Sequence, residues 1–233
     1  MAFAALLSVG LVSCGKDDDN NGGSNSSSNG GGSGQTTGDY VDLGLPSGLL
    51  WATRNIGASS PEDYGYYLAW GETQPKIVYN WDTYCYTNGD NHQLTMYCDN
   101  YNFGYNGFTD NLTTLQPGDD AAIANWGNGW RTPTKEEWEE LMNNTSSTWT
   151  SCNGVYGRLF TSSNGNSLFL PAAGYRLVSE FSGVGEYGGY WSASLYAGNP
   201  YYAWVFRFGS GGQRVGYNNR YYGHSVRAVR SAH

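Results

Sequence analysis

The stretch from Asn199 to Arg230, NPYYAWVFRFGSGGQRVGYNNRYYGHSVRAVR, is crowded with tyrosine, asparagine and arginine and holds no carboxylate. Tyrosine supplies a large, stiff contact area with a hydrogen-bonding tip, while asparagine, serine and glycine add adaptable polar contacts, which is the chemistry of antibody paratopes. Arginine adds pairing with carboxylate or phosphate and stacking on rings. The chemistry open to such a set is recognition of a ligand. The candidate ligand-binding residues are Tyr196, Asn199, Tyr201, Tyr202, Arg207, Tyr217, Asn218, Asn219, Arg220, Tyr221, Tyr222 and His224. A plainer reading stays open, because aromatic residues also cover β surfaces for the sake of cross-strand packing. The hydroxyl tips between Tyr217 and Tyr222 are too dense to satisfy in a core, which favours an outward-facing cluster there.

Catalytic chemistry finds less support. His224 and Ser225 are neighbours in an expected strand, so their side chains point to opposite faces and cannot act as base and nucleophile together. No catalytic residue is assigned and an enzyme is not expected. Neither a metal nor a cofactor is expected. There is no CxxC pair, His92 is remote in sequence from His224, and Asp119 and Asp120 lack further oxygen donors at metal-loop spacing. That acidic pair is expected to make loop hydrogen bonds.

Charge is segregated along the chain. Five arginines and no acidic residue follow Glu186, giving +5, whereas seven basic and twenty acidic residues up to that point give −13, for the overall −8. The basic end could attract phosphate, yet the acidic remainder would repel a polyanion, so nucleic-acid binding is not expected. Arg227 and Arg230 are candidates to pair with upstream carboxylates, as buried charges require partners.

The elements that must position these residues are mostly strands. A content of 34 glycines and 16% aromatic residues in 233 points to one strand-rich domain with many turns. Segments of β composition recur between Gly, Asn and Ser clusters: YVDLGLP, LLWATR, YYLAW, GRLFTS, SLFLP, AGYRLV, GYWSASL, YAWVFRF, GQRVGY and HSVRAVR. In AWVFRF, Trp204, Phe206 and Phe208 should face a core and Ala203, Val205 and Arg207 the other side. One helix is well signalled in RTPTKEEWEELMNN. Thr134 and Glu137 have capping-box spacing, Trp138, Leu141 and Met142 form the inward stripe, and the acidic first turn suits the helix dipole. A short second helical turn is expected at SSPEDYG, with Ser60 as cap and Pro61 in the first position. Residues 95–130 show no sustained periodicity and read as long surface loops.

The first residues predict how the domain is held. Residues 1–14 read as an apolar signal ending in Leu11-Val12-Ser13-Cys14, a lipobox, so that Cys14 is the expected lipidation site. Lys16-Asp17-Asp18-Asp19 resembles the acidic signal that sends Gram-negative lipoproteins to the outer face of the outer membrane. Residues 15–38 hold no large apolar side chain and form a flexible tether with an end-to-end distance on the order of 25 to 30 Å. The folded domain is expected over 39–233. Cys85 and Cys98 flank a polar loop and are candidates for a disulfide in an oxidising compartment.

Six motifs in order carry a family resemblance: YVDLGLPSGLLWATRNIGA, YGYYLAWGET, GDDAAIANWGNGWRTPTKEEWEEL, NGNSLFLPAAGYR, GYWSAS and HSVRAVR. Together, from Asp39 to Arg230, they resemble the major paralogous domain named after Fibrobacter succinogenes. That family is similar to the C-type-lectin-like fold of formylglycine-generating enzymes and of the variable proteins of diversity-generating retroelements. The resemblance implies an α+β, C-type-lectin-like fold, with short twisted antiparallel strands, one clear helix and long loops. It also marks residues 187–230 as similar to a variable binding segment. Two departures narrow what it implies. The nearest analogue of a calcium-ligating lectin motif is Gly198-Asn199-Pro200, which lacks anionic ligands. No cysteine follows Cys152, whereas the formylglycine-generating enzymes need reactive cysteines late in the chain.

The expectation is therefore a surface-displayed lipoprotein of a Gram-negative outer membrane that binds a protein or glycan ligand at the cell surface. Its alternatives are a structural or adhesive surface subunit and a formylglycine-generating-like enzyme.

Overall fold

Local signals explain the helices seen in residues 39–232, which the computed structural model describes. The expected signal segment over 1–14, the expected lipidation site Cys14 and the expected tether over 15–38 lie outside the described residues. Helix α1 (Ala121–Trp126) begins at Asp120, whose Oδ1 accepts from Ala122 N at 2.8 Å and from Thr132 Oγ1 at 2.7 Å. Six residues are too few to show a periodicity, so this helix was not expected. Helix α2 (Lys135–Asn144) carries the expected reciprocal cap: Glu137 N donates to Thr134 Oγ1 and Thr134 N to Glu137 Oε2. Trp138 and Leu141 are buried, and Met142 packs against the same core. The expected turn of helix at SSPEDYG forms only as a single hydrogen-bonded turn, Asp63 N donating to Ser60 O at 3.3 Å, with no helix following. Asp63 Oδ2 also accepts from Ser59 N, Ser59 Oγ and Ser60 N, closing the turn from its C-terminal side.

Eleven strands are described, and every pairing between them is antiparallel. β1 (Tyr40–Asp42) and β2 (Leu49–Ala52) form a sheet with β11 (Val229–Ser231), so that the two ends of the domain meet on β2. β3 (Thr145–Cys152), β4 (Val155–Ser162) and β5 (Ser167–Pro171) follow α2 as a meander. β6 (Tyr175–Leu177) and β7 (Glu180–Ser182) make a hairpin. β8 (Tyr187–Leu195), β9 (Tyr202–Gly209) and β10 (Gly212–Asn219) form the third three-stranded sheet, with β9 central. The architecture is α+β, dominated by open antiparallel sheets with little helix.

Several sequence expectations change at this level. YYLAW makes only the single bridge Leu68 to His224, and HSVRAVR is a strand only at its end, its start making isolated bridges from His224 to Leu68 and from Ser225 to Tyr190. β3 was missed because TSSTWTSC has no apolar alternation. β9 was expected to be half-buried, but Ala203 and Val205 are as fully buried as Phe206. A central strand with cores on both faces loses the alternation that marks a strand with one wet face.

Those cores are aromatic. On one side Trp138 stacks on Phe206 at 4.8 Å and tilts against Trp51 at 4.9 Å. On the other, Val205 packs with Trp70, Trp191 and Val226. Indole NH groups join the layers, Trp70 donating to Ser192 O at 2.8 Å and Trp191 to Leu68 O at 2.7 Å. Tyr190 is fully buried and donates to Pro171 O. A Cβ on Gly188 would lie 2.1 Å from the Phe208 ring, so this strand position admits only glycine.

Among the described residues, neither Arg227 nor Arg230 forms the ion pair with a carboxylate that the sequence suggested. Arg227 is fully buried and donates to Asn55 Oδ1 at 2.9 Å and Ala52 O at 3.0 Å, and burial pulls its pKa down to about 10. Arg230 lies over the Tyr40 and Trp130 rings. Cys85 and Cys98 are separate thiols. The positive φ of Tyr97 turns the chain so that Cys98 is buried, with Sγ donating to Asn100 O at 3.2 Å, while Cys85 is exposed.

Candidate ligand-binding face

The β9–β10 register builds the first part of the face. Tyr217 pairs with Trp204 and Asn219 with Tyr202, which makes Tyr217 and Tyr202 diagonal neighbours. Their rings are 5.0 Å apart, and Tyr196, at the end of β8, comes within 4.4 Å of Tyr217. Trp204 closes this group at 4.9 Å from Tyr196, beneath the Lys135 ammonium at 5.1 Å. Tyr217 is 46% exposed, the most open of the set.

Turns on either side of the sheet extend the row of rings. Between β8 and β9, Asn199 Oδ1 accepts from Tyr201 N and its carbonyl accepts from Tyr202 N, so the side chain shapes the turn that presents both tyrosines. Tyr201 lies 6.1 Å from Tyr202, 4.5 Å from Phe103, 5.5 Å from His92 and 6.1 Å from Trp81. Trp81 opens a 3-10 turn capped by Asn80 and touches Tyr221 at 4.9 Å. Tyr221 then meets Tyr222 at 4.9 Å, and Tyr222 stacks on Tyr175 of β6 at 5.6 Å. Tyr196, Tyr217, Tyr202, Tyr201, Trp81, Tyr221, Tyr222 and Tyr175 thus form one unbroken series of ring contacts. All but Tyr217 are half-buried. Burial pushes the Tyr221 hydroxyl up to about 12, so it stays protonated at neutral pH.

Two predicted ligand contacts prove to be interior. Arg220 is fully buried, with Nε donating to Tyr84 Oη at 2.9 Å, Nη1 to Pro200 O and Tyr97 O, and Nη2 to Met96 O. The rings of Trp70 and Tyr84 lie 5.1 and 5.2 Å from its guanidinium. Carbonyls and π faces satisfy this cation, which ties the 200–201 turn, the 220–222 turn and the 96–97 loop together. His224 is also fully buried, edge-on to Trp191 at 4.6 Å, with Nε2 accepting from the Asn218 amide at 2.9 Å. Burial, helped by the charge of Arg207, pulls its pKa down to about 3 and keeps the ring neutral. Ser225 beside it is buried too, so neither side chain meets solvent.

Asn218 consequently points inward as the partner of His224, and its Oδ1 accepts from Asn219 N. The Asn219 carbonyl accepts from Tyr222 N and closes the following turn. Arg207 is half-buried on β9 and donates to the Tyr217 carbonyl. The sequence reading therefore found the tyrosines but not their supports. Trp81, Phe103, His92 and Tyr175 come from upstream loops and from β6, and only the aromatic density of YNWDTYCY hinted at them.

The expected pairing role of the acidic dipeptide holds. Asp120 caps α1, and Asp119 Oδ2 accepts from Tyr97 Oη at 2.5 Å. A groove of about 410 Å³ lies elsewhere, lined by Trp130, Arg131 and Arg230. A face that meets a macromolecule is built from ring tips and needs no such cavity. No protein-family model matches this chain, and no curated protein or solved structure matches it.

Proposed function

We propose that this chain is a surface-displayed lipoprotein whose C-terminal face binds a macromolecular ligand, on the C-type-lectin-like scaffold of the major paralogous domain family. The observation that carries the reading is the continuous series of partly exposed rings from Tyr196 to Tyr175, contributed by turns and strand ends of five separate segments. Turns accept sequence change more readily than core strands do, so a fixed framework that presents Tyr and Asn turns suits a diversified ligand-binding segment over 187–230. Recognition through rigid tyrosines on such turns is how paratopes gain contact area at low entropic cost. Anchoring falls to Cys14 and reach to the tether that follows it.

The test is a binding screen of the full chain against phage particles and bacterial cells, repeated with Tyr201, Tyr217 and Tyr221 changed together to Ala. Loss of three anchor rings should weaken capture by about a hundredfold or more, with the thermal midpoint little changed. Capture that survives the triple change would defeat the reading. Self-association that depends on the same tyrosines would assign the face to an adhesive or structural assembly instead.

A further inference from the structure

The carboxylate-free end of the chain leaves two arginines on one sheet without an acidic partner. Arg207 of β9 and Arg214 of β10 are directly opposed in the strand register. Like charges so placed destabilise an antiparallel pair unless something lies between them. Neither takes part in any ion pair among the described residues. Arg207 leans across Gly216, where a Cβ would sit 3.7 Å from its Nε, and reaches the Tyr217 carbonyl. Its Nε is buried and makes no hydrogen bond, while Arg214 is exposed. Tyr187 of β8 lies close enough that both guanidinium charges favour its ionised form, although burial holds its pKa up at about 12 and leaves the hydroxyl a donor.

We propose that Arg207 and Arg214, with the Tyr187 hydroxyl beside them, form a carboxylate-binding subsite of this face, and that the ligand is a protein segment bearing aspartate or glutamate. The proposal rests on the binding-face reading and names the ligand chemistry of that face. Guanidinium forks pair with a planar carboxylate, and a bound carboxylate cancels the repulsion between the two arginines. The subsite is continuous with the ring series, because Tyr175 touches both Tyr187 at 5.9 Å and Tyr222 at 5.6 Å.

Two features favour a protein over a polyanion. The remainder of the chain carries −13, which opposes the dense charge of nucleic acid or sulfated polysaccharide but tolerates one or two carboxylates. The β6–β7 hairpin that carries Tyr175 also exposes Val178 and Phe181, offering contact to apolar side chains that a polysaccharide does not have.

The arginine Nε–H signals in a nitrogen-15 NMR spectrum of the full chain report on the subsite directly. The probe is the peptide Leu-Glu-Glu-Leu-Gly with its C-terminus amidated, so that its only carboxylates are the two glutamates, compared with amidated Leu-Gln-Gln-Leu-Gly and with a heparin tetrasaccharide. The glutamate peptide should shift the Arg207 and Arg214 signals saturably, with about fivefold weaker binding in 0.3 M salt and in Arg214→Gln. Equal shifts with the glutamine peptide, no shift with either peptide, or shifts produced by heparin in place of the glutamate peptide would each overturn the proposal. The two readings fail separately. A captured partner lost in the tyrosine triple variant but held equally by Arg214→Gln, at every salt concentration, would overturn the carboxylate subsite alone.

Discussion

His224 shows how one side chain translates burial into pH dependence. Its folded pKa lies near 3 against an ordinary 6.5, so the unfolded chain takes up the proton first as the medium becomes acidic. The stabilisation is complete above pH 6.5 and is lost as pH falls toward 3, with a slope approaching about 1.4 kcal/mol per pH unit. Glu62, Asp63 and Asp90, whose pKa values are lowered from 4.5, 3.8 and 3.8, begin to contribute only as the unfolded carboxyls start to protonate, which leaves the interval from 6.5 to about 5.5 to His224. Urea midpoints across that interval should fall in the native protein and stay flat in His224→Gln. Equal slopes in the two proteins would show that the imidazole is solvated. Sequence could not reveal this burial. His224 stands among tyrosines that do reach solvent, and it is enclosed by Trp191 and by Asn218 on a different strand. Tyr217 was legible because the hydroxyl tips crowded between 217 and 222 outnumber the partners a core could offer, although its neighbour Asn218, on the opposite face of the strand, turns inward to His224.

Elements were legible where their determinants are local. The cap and the inward stripe of α2 lie within nine residues of one another, and both appear as read. β9 was placed correctly but assigned one wet face, since its second core comes from Trp70 and Val226 at distant positions. The turns that present the tyrosines depend on a tie of the same long-range kind. Arg220 links carbonyls of residues 96, 97 and 200 to the Tyr84 hydroxyl, and nothing near position 220 in the sequence marks it as interior. Lysine keeps the charge but loses the planar fork, so Arg220→Lys should cost about 2 to 4 kcal/mol by leaving buried acceptors unpaired. Urea denaturation reads that loss, and the near-UV circular dichroism of the tyrosine and tryptophan rings should weaken with it. An unchanged midpoint would mean that the three segments hold their places without the guanidinium.

At the scale of the whole molecule, the sheet β1-β2-β11 joins the beginning of the described chain to its end. Val229 is fully buried, pairs with Trp51 and exchanges backbone hydrogen bonds with Arg131. Removing residues 229–233 should therefore cost several kcal/mol, at about 1.5 to 3 for the valine side chain alone plus the ladder on β2. Calorimetry of the truncated chain should show a broadened or absent transition. A sharp transition at the native temperature would make β11 dispensable. This closure was only half legible: the motif HSVRAVR pointed to buried framework, but its pairing with the first strands spans nearly the whole domain.

That pairing also sets an order of events in time. Contacts between the ends of a chain form late, after the intervening segments have been made and have found their places. β2 must wait for its second neighbour until residue 229 has been synthesised, by which point every tyrosine of the face has already been added. A chain released early thus has neither a closed first sheet nor a complete face. A molecule that has closed its first sheet therefore carries the whole row of tyrosines from Tyr196 to Tyr222.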